Sequence, residues 1–374
     1  MRERVLYILH LPPPMHGASK VGEFIKNSEV INGEFEGRYI PIKSSESIGE
    51  IGRFSIKKIF YMIWLYFKVL KELLIFRPEK IYYTASTGGI AFIRDYVVTS
   101  LIRMYQKVNK KAEVYYHYHT KGLDKITTSR VMKGLLRRFL KGANIIVLSP
   151  LLKDEFEEYD YKKIYFLPNG VEDSFKNEEE FLQVVENRFL NDELNILYLS
   201  NMIKSKGYME VLELAKHFPE VNFHFAGGWK REEDEEEFFN FIENNKLQNV
   251  KFHGFVSGDK KRSLFEISKG FVFPTKYKNE AFPLSILEAY SFGLPVFTTD
   301  EGSIPYMVDN NSGVIIKSLE KDELVGKFSY FLKNFINKKS EIYCRKKYKQ
   351  NYTLDKFERN FIEIIKGENG TDGI

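Results

Sequence analysis

The chain has 374 residues, which at roughly 150 residues per domain leaves room for two domains with cores of their own. It is 43% hydrophobic, 15% aromatic and 29% charged, too aromatic for a disordered chain. Its one cysteine, Cys344, excludes a disulfide framework and a cysteine-rich zinc site, and a net charge of +5 is too weakly basic to indicate nucleic acid.

The charge is uneven. Residues 1–175 hold 28 Lys+Arg against 19 Asp+Glu, and the remainder holds 28 against 32. A basic front half on an acidic back half marks the first half as the one facing something anionic.

In chain order, Val5–Leu9 (VLYIL) reads as a buried strand. The short apolar N-terminus ends in prolines with no small-residue cleavage site, so no signal peptide is expected. The loop PPPMHGAS follows, where Gly17 would let the backbone approach a ligand, although the GxGxxG spacing is lacking. The greasiest segment, Ile59–Phe76, is interrupted by Lys68, Lys71 and Glu72. Its uncharged run is far short of the ~20 residues of a membrane span, which predicts a cytoplasmic protein. On a wheel of about 100° per residue, Lys57, Lys68 and Lys71 cluster with Tyr61 and Trp64 among them. Lysines interleaved with aromatic rings suit an anionic membrane surface. They equally suit an ordinary surface helix whose apolar face covers a sheet.

Strands follow at Ile81–Thr84, Val114–His117, Ile145–Leu148 and Ile164–Leu167. The second of these ends in YYHYHT, which delivers His119 and Thr120 to a loop. A histidine there can hydrogen-bond a sugar hydroxyl or a reacting carbonyl; a satisfied structural histidine is the plainer alternative. A linker is expected near 171–194, within which Glu178 to Asp192 reads as a helical, acidic stretch. The pattern then restarts at Ile196–Leu199, Phe223–Ala226, Val250–Phe252, Gly270–Phe273, Val296–Thr298 and Val314–Ile316, with a last helix near Leu354–Lys366. Strands separated by helices imply parallel sheets covered on both faces. The expected architecture is α/β: two facing, doubly wound Rossmann-like domains with a cleft between them. The N-terminal domain is placed at 1–175 and the C-terminal domain at 176–352. Residues 353–374 form a helix and tail expected to pack back on the N-terminal domain.

In open α/β sheets ligands bind beyond the carboxyl ends of strands, and the motifs stand there. After GFVFPT comes EAFPLSILE, with Glu280 in a loop and Glu288 on the following helix. Pro283 suits the first helical turn. The amides of Leu284 and Ser285 would then point out of a helix N-terminus, which favours phosphate. The two carboxylates could accept hydrogen bonds from sugar hydroxyls. After ILYL comes SNMIKSKG, where Lys206, with Lys204 behind it, could neutralise a diphosphate. HGFVSG (253–258) could present backbone groups to a base edge, and EGSIP (301–305) is a turn after a strand. No carboxylate cluster is built for a metal, so no metal and no cofactor is expected.

Together these motifs, with LPNGV (167–171), FGLPV (292–296) and His119-Thr120, resemble the family 4 glycosyltransferases of bacterial polysaccharide biosynthesis, which have the GT-B fold. The resemblance implies a retaining, metal-independent hexosyltransferase that uses a UDP- or GDP-sugar. The donor's departing phosphate would take the acceptor's proton on the same face. Matched residue by residue, it gives Glu280 the donor sugar hydroxyls and Glu288 the ribose. Phe282, Pro283, Leu284 and Ser285 would offer backbone to the diphosphate and sugar, and Lys206 would pair with the diphosphate. Gly17 would approach the donor phosphate, His119 would sit at the donor sugar, and Val256 would touch the base.

Ser200-Asn201 stands where the family usually carries an Arg beside a Gly. Asn201 can donate hydrogen bonds but has no charge, which leaves more of the diphosphate to Lys206 and Lys204. Ala281 and Ser303 stand where Gly is usual. The implied acceptor is a saccharide or a lipid-linked saccharide in capsule, lipopolysaccharide or other cell-surface polysaccharide synthesis. That would place the protein in the cytoplasm, peripheral on the inner face of the plasma membrane. Rival readings are an inverting transferase or nucleotide-sugar epimerase on the same fold, or a non-enzymatic basic protein of the membrane surface.

Overall fold

Among the described residues, short apolar runs rich in Val, Ile, Tyr and Phe become twelve strands, β1 Arg4–His10, β2 Glu36–Ile42, β3 Lys80–Ala85, β4 Glu113–Tyr118, β5 Asn144–Val147, β6 Lys163–Phe166, β7 Leu194–Leu199, β8 Val221–Ala226, β9 Val250–Phe252, β10 Gly270–Phe273, β11 Val296–Thr299 and β12 Gly313–Ile316. The computed structural model describes residues 2–13, 15–42, 56–127 and 129–368, with the side chains of 56–58 outside that description. The helices are α1 Gly17–Asn27, α2 Glu29–Glu34, α3 Ile56–Ile75, α4 Gly89–Val108, α5 Arg130–Leu140, α6 Glu178–Leu190, α7 Tyr208–His217, α8 Glu232–Asn244, α9 Gly258–Ile267, α10 Leu284–Ser291, α11 Ile304–Met307, α12 Lys321–Phe335, α13 Lys338–Asn351 and α14 Leu354–Lys366.

Two compact units result, one of residues 1–169 with 355–374, the other of residues 170–354. The boundaries fall a few residues from 175/176 and 352/353. Each unit holds a six-stranded parallel sheet, ordered β2-β1-β3-β4-β5-β6 in the first and β12-β11-β10-β7-β8-β9 in the second. Both sheets are therefore Rossmann-like and doubly wound. β2 escapes prediction because EGRYIPI is an edge strand: it alternates exposed and buried residues and carries Pro41, which edges tolerate.

In the first unit, right-handed crossovers place α3, α4 and α5 on one face and α1 with α2 on the other. α14 returns to that unit. Phe361 meets Tyr82 edge-on with ring centroids 5.2 Å apart, and Lys366 pairs with Glu34 at 2.8 Å. The sheet is unusually tyrosine-rich, with Tyr7, Tyr82, Tyr83, Tyr115, Tyr116 and Tyr118 nearly fully buried.

Residues 171–194 are not a linker. They enter the second unit through α6, whose Arg188 is 3% exposed and meets Glu341 of α13 at 2.6 Å. Arg188 also donates to the carbonyls of Phe265, Glu266 and Phe292. Among the described residues, no helix is long and apolar enough to cross a membrane.

Candidate active site

In the second sheet the winding direction reverses between β7 and β10, which are neighbours. Loops that leave neighbouring strands at such a switch point form the crevice where doubly wound sheets take ligands. The loop after β7 carries Lys206 and the loop after β10 carries Glu280, so residues 74 apart meet: Lys206 Nζ lies 3.0 Å from Glu280 Oε2. Both are largely buried, Glu280 at 8% exposure. The ammonium also stands over the rings of Phe273 and Tyr277, at 5.6 and 5.2 Å, where ring quadrupoles favour a cation.

Two glycines let these loops close on one another. Gly207 has φ +89°, and a Cβ there would stand 2.3 Å from the carbonyl oxygen of Pro274. Gly302, after β11, has φ +58°, and a Cβ would stand 2.1 Å from the carbonyl oxygen of Glu280. The neighbouring Ser303, fully buried where the family usually has Gly, donates its amide to the Ala281 carbonyl at 2.8 Å.

α10 begins directly after Pro283. The proline is the N-cap, with extended ψ of 117°, rather than the first helical residue. Leu284 and Ser285 thus occupy the first two helical positions, whose amides lack intrahelical acceptors. Glu288, on the same helix, pairs with Lys261 of α9 at 2.6 Å. Sequence reasoning passed over Lys261: a lysine in a helix carries no signal until the fold sets α9 beside α10. The loop between β9 and α9 holds Val256, buried at 9% exposure. Phe282 is buried with its ring 6.1 Å from Tyr352. Lys204 reaches Glu237 of α8 at 2.5 Å, not Glu280. Asn201 is half-buried in the loop after β7.

In the first unit the switch point lies between β1 and β3. His16 caps α1, its Nδ1 accepting from the Ser19 amide at 3.2 Å. Gly17 opens that helix, and a Cβ there would meet nothing within 4 Å, so the space over its backbone is open. His119 follows β4 with both ring nitrogens buried and without a hydrogen-bond partner among the described residues. Burial, reinforced by nearby His16, pulls its pKa down to about 3, so it is neutral at physiological pH. Its ring lies 3.9 Å from that of His117, whose Nδ1 is 2.7 Å from the Tyr82 hydroxyl.

Close by is a network unseen in the sequence. Asp95, fully buried, accepts from the Tyr83 hydroxyl and the Ser86 amide, both at 2.8 Å, and from Arg94 Nε at 2.8 Å. It fixes the loop between β3 and α4, whose Thr87 hydroxyl is 3.0 Å from that of Thr120. Among the described residues, no group of three or more His, Cys, Asp or Glu side chains could hold a metal.

Of the surface residues grouped by the helical wheel, Tyr61 is turned inward, its hydroxyl donating to the Pro41 carbonyl. Lys68 is half-exposed and lies 3.7 Å from Glu72. Trp64 and Lys71 are exposed. Lys57 falls on α3, but its side chain lies outside the described residues.

Two six-stranded parallel Rossmann-like units define the GT-B fold class. The architecture matches a glycosyltransferase from Rickettsia africae, with a TM-score of 0.74 and 17% identity over 98% of both chains. It also matches Anabaena HepE, solved in complex with UDP and glucose, with a TM-score of 0.70 and 14% identity over 98% of this chain and 100% of that one. Residues 181–350, which lie within the second unit, match the family Glycosyl transferases group 1. Among curated relatives, the alpha-galactosylglucosyldiacylglycerol synthase of Streptococcus pneumoniae is 25% identical over 193 residues, 48% of this chain. The matched stretch spans about half of that relative, 51% of its length.

Proposed function

We propose that the protein is a retaining glycosyltransferase that moves a sugar from a nucleotide diphosphate, UDP or GDP, to a saccharide or lipid-linked saccharide of a cell-surface glycolipid or polysaccharide. The observation that carries the reading is the Lys206–Glu280 pair at the switch point, beside the N-terminus of α10. A cation and a helix N-terminus favour a diphosphate, and a buried carboxylate favours sugar hydroxyls. HepE, solved with UDP and glucose, supports the donor class, and the diacylglycerol-linked product named for the pneumococcal enzyme supports a lipid-linked acceptor.

In this reading the donor diphosphate draws Lys206 from Glu280, and the freed carboxylate accepts hydrogen bonds from the donor sugar. Glu288, oriented by Lys261, takes the ribose. Val256 offers backbone to the base, and Phe282, Pro283, Leu284 and Ser285 to the diphosphate and sugar. Asn201 adds an uncharged donor; Lys204, engaged by Glu237, is the reserve cation. Gly17 serves the donor phosphate. His119, neutral and with ring nitrogens unpartnered among the described residues, serves the donor sugar. As the bond from the anomeric carbon to the phosphate oxygen breaks, the acceptor oxygen bonds that carbon on the same face. The acceptor proton passes to the departing phosphate oxygen. Lys206 and the α10 amides stabilise the growing diphosphate charge without a metal. The place of action is the cytoplasmic side of an anionic membrane.

The test is transfer from a panel of UDP- and GDP-sugars, with the product's anomeric configuration read by NMR. Retention with one donor supports the reading. Inversion, or no transfer and no thermal shift with any nucleotide, overturns it.

A further inference from the structure

On α3 the exposed residues are Ile59, Phe60, Ile63, Trp64, Phe67, Lys71, Leu74 and Ile75. Their spacing of three and four makes one continuous stripe along the helix, apolar except for Lys71. Phe60 and Phe67 are 67% and 62% exposed. The opposite stripe, with Leu65, Val69, Leu73 and Phe76, is buried in the unit, so the outer one is not a core face turned out. α4, packed beside α3 on the same side of the sheet, exposes a second stripe of Ile90, Ile93, Met104 and Val108. Isolated exposed apolar side chains are ordinary, whereas a contiguous two-helix patch marks a contact surface.

The charge of the patch identifies what it contacts. Each of the two helices has a single acidic residue, Glu72 on α3 and Asp95 on α4. Both are buried and paired, with Arg38 at 2.6 Å and with Arg94 at 2.6 Å. Every exposed charge among the described side chains of the two helices is therefore cationic: Lys71, Lys107 and the half-exposed Lys68 and Arg103. Arg137 and Arg138 on neighbouring α5 extend the cationic rim. Exposed Glu158 pairs with Lys133 of α5 at the edge, but on α3 and α4 themselves apolar depth is accompanied only by cations, which complements an anionic lipid leaflet.

We infer that the outer stripes of α3 and α4 are a membrane-docking face that inserts Phe60, Ile63, Trp64, Phe67 and Ile93 among anionic lipids. The inference rests on the proposed function only for its purpose. α4 starts at the loop Ser86–Gly88, at the carboxyl end of the sheet beside Thr120. Docking by Ile90 and Ile93 on its first turns thus brings that end of the first unit to the lipid surface, where a lipid-linked acceptor lies. It also reassigns the contact. Apolar insertion leads, with the lysines at the rim, in place of a lysine face that includes the inward-turned Tyr61.

The experiment is sedimentation of the full chain with vesicles of phosphatidylglycerol and phosphatidylcholine, against phosphatidylcholine alone. The wild type is expected to bind the anionic vesicles. Phe60→Ser with Phe67→Ser should weaken binding roughly tenfold or more at unchanged Tm, since both side chains are solvent-exposed. Lys71→Glu should weaken it mainly at low salt. Equal binding by the double variant overturns the inference. So does a vesicle-free dimer that the same double variant dissociates, which would assign the face to a second copy of the chain. A thermal shift with UDP and GDP, run on the same samples, separates the two ideas. A nucleotide shift without vesicle binding removes the docking face alone, and vesicle binding without any nucleotide shift removes the proposed function alone.

Discussion

Gly302 stands against the backbone of Glu280, so close that a Cβ would lie 2.1 Å from the Glu280 carbonyl oxygen. The carboxylate proposed to hold the donor sugar is thus positioned from the next strand's loop, because β11 is the neighbour of β10. Gly302→Ala adds both a clash with backbone and the strain of a side chain at φ +58°. The variant should lose about 1–3 kcal/mol of stability. It should also lose turnover beyond what lower stability explains, measured at a temperature where circular dichroism shows it folded.

Lys206 and Glu280 form one unit, so their losses should not add. Lys206→Ala or Glu280→Ala is expected to lower turnover on the order of 10²-fold, if each contributes a few kcal/mol at the transition state. The double variant should be little worse than either single one. Steady-state kinetics of the three proteins make the double-mutant cycle, and near wild-type rates for both single variants would remove the site assignment.

Lys261 offers a subtler check. It meets Glu288 at 2.6 Å and is proposed to act through it. Lys261→Met should raise the donor KM several-fold while leaving kcat nearly unchanged, because ribose binding is common to ground and transition states. A fall in kcat at constant KM would assign Lys261 to the chemistry instead.

Behind α9 and α10, Arg188 and Glu341 form an ion pair with side chains 1% and 0% exposed. Removing one partner leaves the other charge buried. Glu341→Ala should therefore cost about 3–5 kcal/mol in thermal or urea unfolding. Replacing both with apolar residues should recover part of that loss.

Buried histidines set an acid limit to stability. Burial lowers His119 to about 3 and His224 to about 4 from an ordinary 6.5. His10 and His117 are lowered in the same direction by burial. The unfolded chain binds protons on these rings below 6.5 and the folded chain does not, so stability is complete above that pH and falls as the pH drops through the window. His224→Gln should flatten the slope of Tm against pH between 6.5 and about 4, by the protons no longer taken up on unfolding.

The amino-acid sequence by itself determined the alternation of strand and helix, because β-branched and aromatic runs and 3.6-residue periodicity are local properties. It also placed Glu280 in a loop and Glu288 on the helix behind it, since a loop follows the strand and the helix begins directly after Pro283. It missed β2, where Pro41 and half-exposure hide the strand, and although it read 178–192 as helical it placed the linker there, where Arg188 looks like any surface arginine until Glu341 is brought to it. The wheel gave the angles between Lys57, Tyr61, Trp64, Lys68 and Lys71, but not which side of α3 the sheet covers. Only the tertiary structure turned Tyr61 inward and left Phe60 and Phe67 outside. The same holds at the site. Lys206 meets Glu280 because β7 and β10 are neighbours in a sheet whose order the chain does not spell out. Local propensity is set within a few residues; strand order is set by which apolar faces can be buried together over the whole unit.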